Sequence, residues 1–115
     1  MEEVVAGGAQ PVLSCSKRKI LDLVFQKWSL IIISHLYQNP SRYNQLLQAI
    51  TGISHKMLSQ TLRQLEKTGL VKRTVFPLVP PQVEYALTPL GETLFAPLTA
   101  IGQWMADHEQ DLKLE

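Results

Sequence analysis

Cysteine is nearly absent from this chain: Cys15 is its one thiol, so no intrachain disulfide can form. That usage suits a reducing compartment, and a cytoplasmic location is expected. Long apolar runs are also missing. Leu30-Ile31-Ile32-Ile33 is a core segment by length, far short of the roughly 18 residues of a membrane span, so no membrane partner is expected. The acidic start, Met1-Glu2-Glu3, lacks the positive end of a secretory leader. Glycine-rich phosphate loops are absent; Gly7-Gly8 and the isolated glycines read as tail, turn and cap signals. His35, His55 and His108 are too dispersed for a metal site or a catalytic triad. Asp107-His108-Glu109 has ligand chemistry but no second spaced His or Cys, and reads as an exposed polar face. No metal, cofactor or catalytic residue is expected, and the chain is predicted not to be an enzyme.

The charge that is present is unevenly placed. Between Lys17 and Arg73 there are ten basic residues and two acids, Asp22 and Glu66, a net charge of +8. The remainder holds Lys113 against eight acids. A basic middle in a protein of net charge +1 suits one polyanion-facing surface, although chance clustering on a solvated surface gives the same count.

The length predicts a single domain. Residues 1–14, with Gly7-Gly8 and Pro11, are expected to be a mobile tail, and 15–115 the folded unit. Apolar spacing predicts helices at about 17–25, 28–38, 43–50 and 55–67. The second, apolar from Leu30 to Ile33, is the expected central helix, and Asn39-Pro40 ends it. Ser54 is placed to cap the fourth helix, and Gly69 to end it.

On that fourth helix Leu58, Leu62 and Leu65 form one stripe at 100° per residue. Lys56, Ser59, Gln60, Arg63 and Lys67 fall on the other side. Arg and Lys can donate to guanine, Gln can pair with adenine, and Ser can contact a base or a phosphate. An ordinary polar face would look the same in isolation, so the segment that follows matters. Leu70 to Phe76 reads as a strand carrying Lys72 and Arg73, Pro77-Leu78-Val79-Pro80-Pro81 as a turn, and Gln82 to Leu87 as a returning strand. Thr88-Pro89 starts a last helix. Arg73 suits a phosphate contact or a cross-strand pair with Glu84. The predicted fold is mainly α with a small antiparallel β-hairpin: a winged helix-turn-helix.

The order and spacing of several motifs are similar to the HxlR-type winged helix-turn-helix regulators. They are Cys15, Lys27-Trp28, Arg42-Tyr43 before Leu46, Gly52-Ile53-Ser54 with Leu58-Ser59, and Leu62-Arg63-x-Leu65-Glu66. Gly69-Leu70-Val71-x-Arg73, Pro80-Pro81-x-Val83-Glu84-Tyr85-x-Leu87-Thr88, Gly91 and Trp104 continue the series. The resemblance spans about residues 15–108. Ser16, Gln26, Tyr43 and Gln45 depart from the family's usual proline, glycine, phenylalanine and glutamate. What the resemblance implies is a homodimeric transcription factor on a palindromic operator in double-stranded DNA, with the helix at 55–67 in the major groove. Lys56, Ser59, Gln60 and Arg63 are the expected base or phosphate contacts, and Lys67, Lys72 and Arg73 the backbone contacts. It also implies a redox-sensor role for Cys15, toward an oxidant or a small-molecule electrophile, as in some members.

Residue chemistry bears on both points. Cys15 precedes Lys17-Arg18-Lys19 at a helix start, where positive charge and free amides favour thiolate, although a small residue packed at a dimer contact fits as well. On the last helix, about 89–110, the stripe Leu90, Leu94, Leu98, Ile101, Trp104, Met105 and His108 exceeds what one small domain covers. Leu94, Leu98, Ile101, Trp104 and Met105 are the expected dimer interface, with dimerisation through the N- and C-terminal helices. Pro97 should kink or divide that helix. Trp28, Tyr37 and Trp104 suit core packing more than an effector pocket. The alternative function is a winged-helix protein-interaction module without sequence-specific DNA binding.

Overall fold

The computed structural model describes residues 15–113, with the side chains of Cys15 and Ser16 outside the description. The expected tail at 1–14 and the thiol of Cys15 therefore lie outside the described residues. Six helices and three strands follow in the order α1 (Cys15–Val24), α2 (Lys27–Gln38), β1 (Ser41–Arg42), α3 (Tyr43–Ala49), α4 (His55–Lys67), β2 (Val71–Phe76), β3 (Gln82–Leu87), α5 (Pro89–Thr93) and α6 (Phe95–Asp107). Among the described residues, no single helix is long and apolar enough to cross a membrane.

α2 supplies the centre of the core, with Ser29, Ile32, Ile33 and Leu36 buried. Asn39 leaves helical geometry ahead of Pro40, with φ −155° and ψ 139°. Leu46 of α3 and Leu58, Leu62 and Leu65 of α4 close on α2, and Ile50, Ile53, Leu70 and Val71 complete the cluster. A single helical stripe on each element thus meets one shared core. The turn between α3 and α4 holds Gly52 at φ +89°, and Gly69 follows α4 at φ +87°. Both are left-handed positions, which glycine adopts without the clash a Cβ brings.

The hairpin of β2 and β3 gains a third strand that periodicity did not predict. β1 pairs antiparallel with β3 through Ser41–Tyr85 and Arg42–Glu84, giving the order β1-β3-β2. Two residues before a helix carry no alternation to read, so only pairing reveals the strand. In the hairpin itself Arg73 lies opposite Tyr85, and Thr74 opposite Glu84. Arg73 and Glu84 therefore project to opposite faces, and the cross-strand pair weighed for them does not form. Arg42 is the basic residue that lies beside Glu84.

The last helix is divided. Pro97 has no amide to donate to the carbonyl of Thr93, so helical bonding lapses there. The break falls at Leu94, and Pro97 sits in the first turn of α6, where a free amide is not needed. Gly91 in α5 packs so closely on strand β2's approach that a Cβ would meet the Leu70 carbonyl. Thr88 clamps the same corner, donating from its amide to Leu70 at 3.1 Å while its hydroxyl accepts from the Gly91 amide at 3.0 Å.

Candidate nucleic-acid interface

α4 is fixed at both ends. The Ser54 hydroxyl accepts from the Met57 amide at 3.0 Å, capping the first turn. At the far end the Thr68 hydroxyl donates to the Leu65 carbonyl at 3.0 Å. Leu58, Thr61, Leu62 and Leu65 are buried, which turns Lys56, Gln60, Arg63, Gln64 and Lys67 to solvent. With Ser59, these five line one shallow groove along the outer face of the helix. Among the described residues no ion pair holds any of these three cations, so each is available to a polyanion.

Ser59 differs from its neighbours in the groove. It is half-buried, and its Oγ lies 2.9 Å from the Tyr43 hydroxyl. Tyr43, the first residue of α3, also donates to the His55 carbonyl at 3.1 Å and lies 3.3 Å from His55 Nδ1. Its ring stacks on the His55 ring at 5.9 Å. Sequence reasoning treated Tyr43 only as a motif residue. Contacts 12 and 16 residues apart leave no local signal.

Lys72 and Arg73 are both exposed, but adjacent strand residues point to opposite faces. Lys72 sits opposite Ala86, while Arg73 shares its face with Tyr85, which packs against the core. The two side chains therefore leave the hairpin on opposite faces. The wing tip is apolar, with Leu78 and Val79 exposed among three prolines.

The expected dimer residues divide into two groups. Leu94 and Leu98 pack partly on the chain's own core. Ile101, Trp104 and Met105 stand out at 40%, 52% and 49% exposure. Beside them an apolar cleft between α1 and α6 is lined by Ile20, Leu21, Val24 and Phe25 on one side and Leu94, Leu98 and Ile101 on the other.

The aromatic residues expected in the core do not converge. Tyr37 is exposed and stacks on Phe95 at 3.7 Å, and Trp104 is exposed and stacks on His108 at 4.9 Å. Only Trp28 packs against the core. The amphiphilic faces of Tyr and Trp permit this placement, which composition alone cannot locate.

A family model for the HxlR-like helix-turn-helix matches residues 23–113. The chain belongs to this family. The chain is similar to the uncharacterized HTH-type transcriptional regulator YtfH of Escherichia coli (strain K12). The two are 40% identical over 91 residues, 79% of this chain and 72% of that protein. Among solved structures, the oxidised form of the redox regulator HypR matches with a TM-score of 0.72 and 33% identity, covering 87% of this chain and 100% of that one. The reduced transcriptional regulator YodB from B. subtilis matches at 0.74 and 31%, covering 82% and 92%. α3, the Gly52 turn and α4 form the helix-turn-helix of this HxlR-like chain, and β2–β3 its wing.

Proposed function

We propose that this chain is a sequence-specific, DNA-binding transcriptional regulator that acts as a homodimer on a palindromic operator and responds to thiol oxidation through Cys15. The observation that carries the reading is α4, a capped helix with three buried leucines whose outer groove presents Lys56, Gln60, Arg63 and Lys67 together. A helix presented this way suits the major groove, where Arg and Lys donate to guanine and Gln pairs with adenine. Lys56, Ser59, Gln60 and Arg63 read bases or phosphates, and Lys67, Lys72 and Arg73 hold the backbone. The uncovered Ile101, Trp104 and Met105 support pairing of two copies, which sets two recognition helices on two half-sites. Residues 15–115 act as the DNA-binding and dimerisation unit.

The similarity to HypR, a redox regulator, supports the thiol response. With one cysteine per chain, oxidation ends in a disulfide between subunits, a mixed disulfide or an adduct. The test is a gel shift of the purified protein on its own upstream region, with competitor DNA, before and after diamide. A specific complex lost on oxidation, and retained in Cys15→Ser, is the expected result. A specific complex indifferent to diamide would remove Cys15 from the mechanism. No specific complex there or in a genomic binding selection would favour a protein-interaction module.

A further inference from the structure

Proton bookkeeping around Tyr43 assigns a polarity to Ser59. A phenol hydroxyl has one proton to donate and lone pairs to accept with. Three groups lie within reach of it: the His55 carbonyl at 3.1 Å, His55 Nδ1 at 3.3 Å and Ser59 Oγ at 2.9 Å. The carbonyl can only accept, so it takes the tyrosine proton. With that proton on the carbonyl, the arrangement that keeps the other two contacts has Ser59 O–H and His55 Nδ1–H donating to Tyr43. This arrangement satisfies all three contacts and uses the full valence of the phenol oxygen. It commits the only proton of Ser59 inward.

Ser59 also lines the outer groove of α4, beside Lys56, Gln60 and Arg63. What it offers there is lone pairs alone, so of the base and phosphate contacts open to a serine only a contact to a donor on a base remains. A free serine hydroxyl rotates and reads donors and acceptors alike, whereas a hydroxyl with its proton engaged accepts only. In the major groove the hydrogen-bond donors are the exocyclic amines, N6 of adenine and N4 of cytosine; guanine and thymine present acceptors. We propose that Ser59 is an acceptor-only reader of an exocyclic base amine, and that Tyr43 is the positioning residue that makes it so. This inference rests on the DNA-binding reading and deepens it. Every base pair carries one such amine, so the preference takes the form of a strand choice: adenine over thymine, or cytosine over guanine, on the strand nearer Ser59.

The experiment is selection of the full chain on randomised duplexes, with sequencing, for the wild type, Tyr43→Phe, Ser59→Ala and the double variant. The wild type is expected to prefer an amine base about fivefold at one position per half-site, the size of one net hydrogen bond. Ser59→Ala should flatten that position alone. Tyr43→Phe should also flatten it, because the freed proton of Ser59 can now be donated to guanine or thymine. The double variant should match Ser59→Ala, since the two act through one hydroxyl. A base analogue lacking the amine, placed in the selected duplex, should cost the wild type about fivefold and Ser59→Ala nothing; this arm does not depend on the folding of the tyrosine variant. The inference is overturned if Ser59→Ala changes no position, or if Tyr43→Phe keeps the full preference. Failure of the wild type to select any sequence would overturn the DNA-binding reading itself, before any variant is compared.

Discussion

α4 and α6 are each thirteen residues long, and their relation to the rest of the molecule is opposite. α4 is the more polar, yet it buries Leu58, Thr61, Leu62 and Leu65. α6 carries Phe95, Leu98, Ile101, Trp104 and Met105, yet none of its residues is buried. Apolar content alone therefore does not place a helix in a core. Placement does: α4 turns its leucines into the core beside α2, whereas Ile101, Trp104 and Met105 of α6 face away from it. The first helix is complete within one chain. The second exposes a surface that the described residues do not cover.

The sharpest way to test the contrast is to replace one apolar residue on each side of it. Leu62→Ala, at a residue 1% exposed, should destabilise the fold by about 2–5 kcal/mol, measured by chemical denaturation. A loss below 1 kcal/mol would mean the stripe is not the anchor it looks like. Ile101→Asp should behave differently, raising the dimer dissociation constant by about 30-fold in sedimentation while leaving secondary structure intact. A fully dimeric Ile101→Asp protein would remove α6 from the interface. On the outer face of α4, Arg63→Ala should cost about 1–3 kcal/mol of operator affinity. A specificity profile that relaxes at one position would mark a base contact, and equal loss on all sequences a phosphate contact. The smallest effect belongs to the cap: Ser54→Ala should lower the stability of the domain by about 1 kcal/mol, read as a shift in the thermal midpoint.

Much of this architecture is legible in the residues, for reasons that also explain what is not. The stripe of Leu58, Leu62 and Leu65, the Ser54 cap and the Gly69 stop are local signals, and α4 runs over the expected 55–67. Pro97 announced a division but not its position, which depends on the carbonyl four residues earlier. β1 escaped because a two-residue strand has no period of its own. The strand register that separates Arg73 from Glu84 depends on pairing across the sheet. Tyr43 was legible as a motif residue and illegible as the partner of Ser59 and His55, because those contacts exist only after α3 and α4 have docked.

The break between α5 and α6 has a geometric consequence for a paired molecule. α5 is tied to the wing through Thr88 and Gly91, while α6 carries the uncovered apolar surface away from it. In a dimer joined through α6, the angle at Leu94 becomes the arm of a caliper: it sets how far apart two copies of α4 are held. A change of a few degrees there would alter which half-site spacing the pair can span. In such a dimer Pro97, in the first turn of α6, would help set the operator spacing as well as the fold of the chain.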